Sequence, residues 1–272
     1  MTQTKKKKTP VTPVQKPFLR GTPTDRDTLR RALMFFGTLI MIFFVSVIIC
    51  SMTGFDSPIL RILINGTIIA LMMLIVYHTG ESWGTEMVAR GENLYQRREK
   101  GIEVSAEDAR TCFHPAKAFI AGAIGTLPFV LLAIVLAVTA QRQMTTPGTL
   151  PSWMQTYARR NEIGDPLVNY LNPEGVGAMD MLRIAVRVCI LPYINLVGNS
   201  DGAAMLWVER LSPLLLLLPA VSYGIGALQG TRVRTRIHTE IAENAKKRIR
   251  RENKARKKRM AARTPKAPEQ LN

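Results

Sequence analysis

Long apolar runs and strongly polar segments take turns along the chain, and the apolar runs share one length. They cover about residues 32–53, 59–78, 117–140 and 206–229. Each approaches the ~20 apolar residues with which an α-helix crosses the hydrocarbon core of a bilayer. In lipid, a single segment satisfies its own backbone N–H and C=O groups only as a helix. The pattern therefore predicts an all-α fold, a polytopic membrane helix bundle with four transmembrane helices.

The connections differ in kind. Gly54 to Pro58 is very short, so the first two spans form an antiparallel hairpin, with Pro58 in the first turn of the second helix and Arg61 one turn inside, snorkelling outward. Residues 79–116 are polar and mixed in charge. Two short helices broken at Gly101 are expected there, the second starting at Ser105-Ala-Glu-Asp108 with acidic residues in its first turn, and Pro115 leads into the third span. That span carries Ala118, Gly122, Gly125 and Thr126 at helical spacing, a small-residue face suited to close packing in lipid.

Residues 141–205 form the extracytoplasmic segment of this scheme. Trp153, Tyr157 and Tyr170 favour an interfacial setting. Met179 to Leu191 is apolar except for Asp180, Arg183 and Arg187, which fall at i, i+3 and i+7 and make one polar stripe on a helix. Two arginines in mid-span are costly, and Pro192 ends or kinks that helix. An amphipathic helix in the outer interface is expected, with both arginines turned to water or headgroups.

Charge then sets the orientation. The 272 residues hold 37 Lys+Arg and 20 Asp+Glu, for a net charge of +17. Residues 1–31 carry nine basic and two acidic side chains, and residues 231–272 carry fifteen and four, so nearly all the excess sits on the two ends. Lys and Arg beside spans prefer the cytoplasm. Four spans put both basic ends there, and the plasma membrane is the expected location. Residues 1–30, with Lys5 to Lys8 and prolines at 10, 13, 17 and 23, read as a disordered basic tail. Asp27 or Thr28 is the expected cap of the first helix. The first span reads as uncleaved, being longer than a signal peptide's apolar region and lacking a small-residue cleavage site.

Residues 230–272 read as a basic cytosolic tail, helical from Thr231 to Arg263, with a thin apolar line through Val233, Ile237, Ile241 and Ile249. Lys246, Lys247, Arg248, Arg250, Arg251, Lys254, Arg256, Lys257, Lys258 and Arg259 are its candidate contacts to anionic lipid headgroups, or to RNA. No aromatics interleave with them, so base stacking is unsupported and lipid leads.

Motifs for chemistry are sparse. Gly198-Asn-Ser200-Asp-Gly202 matches the nucleophile-elbow pattern but lacks the strand–turn–helix setting that motif needs, and reads as a polar loop. Cys112-Phe-His114, with Glu107 and Asp108 near, supplies no complete metal shell. Cys50, Cys112 and Cys189 read as buried thiols rather than a disulfide framework, a single Cys50–Cys189 bridge being the alternative. Asn65-Gly66-Thr67 lies inside a span, where Asn65 suits interhelical hydrogen bonding or tight packing. Gly226-xxx-Gly230 is a weak helix-packing match. Glu209 and Arg210 sit near the outer end of the last span, where local pairing or snorkelling beside Trp207 is expected.

No cofactor or metal site and no catalytic constellation emerges. The reading is a non-enzymatic membrane scaffold or accessory subunit, partnered by the bilayer and by another protein or its own copies. The alternatives are a transporter or channel component, or a membrane-protein insertion factor with a ribosome-facing tail.

Overall fold

The computed structural model describes residues 13–52, 57–140, 177–197 and 202–263. All their regular structure is helical, in the order α1 (Arg26–Met52), α2 (Pro58–Glu99), α3 (Ala106–Arg110), α4 (Lys117–Thr139), α5 (Ala178–Cys189), α6 (Leu191–Val197) and α7 (Gly202–Arg263). Four of these, α1, α2, α4 and α7, are long and apolar enough to cross a membrane. They are compatible with a multi-pass membrane protein.

Contacts between small residues fix the bundle's order. A Cβ on Gly80 or Gly84 of α2, or on Gly226 or Gly230 of α7, would overlap backbone atoms of the opposite helix. The two backbones therefore touch, and the most extensive interface of the molecule is α2 against α7. Gly80 meets Tyr223 and Gly84 meets Ala227, so the two helices run parallel. Such small-residue crossings suit helices in lipid, where packing rather than water exclusion drives association. The weak Gly226-xxx-Gly230 match is half of this crossing, and Gly80-xxx-Gly84 is its unrecognised partner.

Helix α4 packs on the other side of α7, with Gly122 against Ala220, and on α1, with Gly125 against Ala32 and Phe35. Ala118, Ala121 and Thr126 on the same face are at most 1% exposed. The small-residue face expected on the third span is thus its packing face. The α1–α2 hairpin is antiparallel but loose. Cys50 donates to Asn65 Oδ1 at 3.6 Å at one end, and Arg31 pairs with Glu86 at 2.7 Å at the other. The expected interhelical bond at Asn65 is present, whereas Gly66 has nothing near it. None of the three cysteines is in a disulfide among the described residues.

One helix boundary differs from the expectation. Helix α2 does not stop near residue 78 but continues to Glu99, with α7 running beside it and Trp83, Met87 and Val88 buried. Gly101, at φ +76°, then ends the run in the left-handed conformation that glycine adopts without strain. Helix α3 starts where expected, with Ser105 accepting from Glu107 N.

Residues 13–25 are not a disordered tail but an extended strap. Val14 N donates to Thr239 Oγ1, Leu19 N to Gly91 O, and Gly21 N to Phe113 O, at 3.0, 3.2 and 3.0 Å. The Phe18 ring meets Phe113 edge-on at 6.2 Å. A polar, proline-rich segment holds its place here because its backbone is bonded on both flanks. The α1 cap is Asp25 rather than Asp27 or Thr28. Asp25 Oδ1 accepts from Thr28 N at 2.7 Å, and Thr28 Oγ1 accepts from Asp25 N at 3.2 Å. Residues 1–12 lie outside the described residues.

Candidate functional sites

Helices α5 and α6 form a broken pair, interrupted at Ile190, lodged among the long helices. Helix α5 packs on α4, α1 and α7, and α6 on α2, α1 and α7. The polar stripe is on one face as expected, but two of its three members face inward. Arg183 and Arg187 are 6% and 7% exposed, and both reach Glu209 of α7, which is 1% exposed. Arg183 Nε lies 3.1 Å from Glu209 Oε1, and Arg187 Nη2 lies 2.6 Å from the same oxygen. Asp180 instead accepts from Gly177 N at 3.2 Å at the start of the helix.

The arginines do not turn to water or headgroups, because a partner is available inside. A buried charge is tolerated when it is paired and hydrogen-bonded. Arg183 and Arg187 are one turn apart, so a single carboxylate opposite that turn serves both. The local partner expected for Glu209 is replaced by partners 22 and 26 positions away. Arg210 behaves as expected, its guanidinium 6.0 Å from the Trp207 ring. Arg61 does not simply snorkel; its Nη2 donates to Val197 O at 3.3 Å, holding the end of α6. Chemically the cluster is a clamp. Both guanidiniums converge on Glu209 Oε1, which ties α5 to α7.

At the opposite, basic end, Lys117 is fully buried. Its Nζ donates to Asp25 Oδ2 at 2.9 Å, to Arg110 O at 2.7 Å and to Cys112 O at 3.2 Å. Asp25 is held below the usual carboxylate range: burial pushes it up, but hydrogen bonds from Lys117 and Thr28 outweigh that. Glu92 behaves alike, with burial opposed by Arg234 and His238. His238 Nε2 lies 2.9 Å from Glu92 Oε1, and Arg234 bonds the same carboxylate. These contacts lock α7 to α2 beyond the glycine crossing.

Past that lock α7 stands clear of the other described helices. Every side chain from Asn244 to Arg259 is exposed. The ten basic residues from Lys246 to Arg259 lie on this arm and are distributed around it rather than on one stripe. Pairs at i,i+4 support the helix, Lys247 with Glu243 at 3.6 Å and Arg248 with Glu252 at 3.3 Å.

Cys112 Sγ donates to Asp108 O at 3.8 Å, and His114 Nδ1 accepts from Ala116 N at 3.2 Å. Among the described residues no three of His, Cys, Asp and Glu gather into a group able to hold a metal ion. Most of the Gly198–Gly202 motif, and all of residues 141–176 with Trp153, Tyr157 and Tyr170, lie outside the described residues. The buried clamp was hidden from sequence reasoning because its halves are far apart in the chain. The signal was an i,i+4 arginine pair on an apolar helix together with one unexplained glutamate inside an apolar run. Comparison of the chain with protein-family models, with curated proteins and with solved structures finds no match in any of the three.

Proposed function

We propose that the protein is a non-enzymatic membrane scaffold that holds a rigid basic arm away from the bilayer for an anionic macromolecular partner. The observation that carries this reading is the continuity of α7, 62 residues from Gly202 to Arg263 without a break. If the last span ends near residue 229, a rise of ~1.5 Å per residue puts Lys246 about 25 Å beyond it and Arg259 about 45 Å beyond it. A tilt of about 40° still leaves Lys246 roughly 20 Å away. The Debye length is about 8 Å at physiological salt, so headgroup attraction is largely screened at that distance. The lipid contact suggested by composition therefore loses ground to a partner that comes to the arm. Structured RNA and acidic protein surfaces have the required charge.

The strap, the Glu92–Arg234–His238 lock and the glycine crossing stiffen the base from which the arm projects, as a scaffold requires. The excess of Lys and Arg at this end supports a cytoplasmic orientation. A transporter or an insertion factor with a polar groove has less support, since Glu209 takes up both arginines.

A spin label on Asn253→Cys, in the full chain in nanodiscs containing anionic lipid, tests the reading. The arm predicts a label about 20 Å or more from the phosphate plane, and a label at headgroup depth overturns it. In parallel, replacing the ten basic residues by Gln should abolish salt-sensitive capture of the partner while leaving the bundle's melting temperature unchanged. Equal capture by both forms would also overturn it.

A further inference from the structure

A groove of about 690 Å³ opens on the bundle's lateral surface between α1 and α4, at the basic end. Its walls are apolar, with Leu33 and Phe36 from α1 and Ile124 and Pro128 from α4, and its rim carries Arg26 and Arg30. We propose that this groove binds an anionic phospholipid of the leaflet at the basic end, phosphate on the two arginines and an acyl chain along the apolar walls.

Charge points to this occupant. Arg26 and Arg30 are one helical turn apart and exposed, and neither has an ion pair or hydrogen bond to another described residue. Their neighbours on α1 are fully engaged: Asp27 pairs with Arg90 at 2.9 Å and Arg31 with Glu86 at 2.7 Å. The helix thus sends one face to its partner helices and presents two uncommitted guanidiniums on another. Guanidinium matches phosphate bidentately, and basic pockets between spans are suited to phospholipid headgroups.

Length points the same way. From Arg26 to Phe36 the helix rises ~15 Å, half of a hydrocarbon core of ~30 Å. The apolar surface begins beside the arginines, with Leu29 64% and Leu33 71% exposed. A headgroup held at Arg26 and Arg30 therefore directs its acyl chain down the groove. Gly125 brings α4 against Ala32 and so forms the groove's floor. The site is independent of the arm, and its failure would leave the proposed function standing.

The full-length protein, in nanodiscs, should be photolabelled with phosphatidylglycerol carrying a diazirine on its acyl chain, and the labelled residues mapped by mass spectrometry. Phosphatidylcholine with the same chain is the comparison. Label from phosphatidylglycerol should concentrate several-fold on residues 29–36 and 124–128, and should fall to the phosphatidylcholine level in the Arg26→Gln/Arg30→Gln variant. Leu33→Trp, which fills the groove and leaves both arginines in place, should also remove the enrichment. Reading label on the acyl chain separates this site from headgroups attracted to the arm. Equal patterns for the two lipids, or enrichment unchanged in the double variant, would overturn the proposal. So would chemical cross-links joining α1 of two copies through this groove, which would make a second chain its occupant.

Discussion

Both ends of the bundle are fastened by ion pairs, but the two sets stand in different surroundings. At the basic end, Asp27, Arg90, Glu86 and Arg31 link α1 to α2 with side chains that keep between 23% and 42% of their surface exposed. At the other end, Arg183, Arg187 and Glu209 keep between 1% and 9%. Half-exposed pairs are screened by water and salt and contribute about 0.2–1 kcal/mol each. Breaking a buried pair costs about 3–5 kcal/mol, because the charge left behind has neither water nor partner. The same residue types thus serve as adjustable stitching at one end and as an all-or-none clamp at the other.

The hardest test of this contrast removes the clamp's shared acceptor. Glu209→Ala removes the buried carboxylate on which both guanidiniums converge and should destabilise the bundle by about 3–5 kcal/mol, seen as a large drop in melting temperature in detergent. Arg31→Gln at the exposed chain should cost under about 1 kcal/mol. Similar losses from the two variants would end the comparison.

Lys117 sharpens it, being buried yet at the basic end. Lys117→Met leaves Asp25 and two carbonyls without their donor and should cost about 3 kcal/mol. It should also release the strap, so that limited proteolysis cuts between residues 13 and 25 before any loss of helix. The glycine crossing comes next. Gly84→Val forces α2 from α7 and should cost about 1–3 kcal/mol, with melting temperature as the readout and Gly37→Ala, a position with nothing within 4 Å, as the neutral reference.

Acid should loosen the basic end progressively. Asp25 and Glu92 titrate below the usual carboxylate range in the folded protein, so their stabilisation is present above the ordinary pKa of about 4 and is lost as pH falls through the lower folded values. Protease sensitivity of the strap should therefore stay flat from pH 8 to about 5 and rise below about 4. A rise beginning near pH 6 would overturn the assignment to these two carboxylates. The smallest effect belongs to Arg236→Gln, whose partner Glu240 is one turn away with both side chains exposed; no change in melting temperature is expected.

Much of the architecture was legible because it follows from periodicity and length. The four apolar runs, the packing face of α4, the start of α3 at Ser105 and the helical character of the C-terminal basic run are all local properties. The extension of α2 to Glu99 was not legible, because Gly80, Gly84 and Gly91 look like breakers until α7 and the strap are seen to need the room they leave. The order of residues 13–25 was missed for a related reason. Its composition offers little to bury, and its hydrogen-bond partners, Gly91, Phe113 and Thr239, are at least 72 positions away.

The sequence by itself determined the helical class, the number of helices long and apolar enough to cross a membrane and the segments in which charge collects, since each depends only on residues within one segment. Tertiary structure alone decided that Arg183 and Arg187 turn inward, that Lys117 is enclosed, and that α2 and α7 join into one stiff base. Each of those outcomes depends on a partner brought close by folding, and a charge's preference for water or for the interior reverses when such a partner is there to meet it.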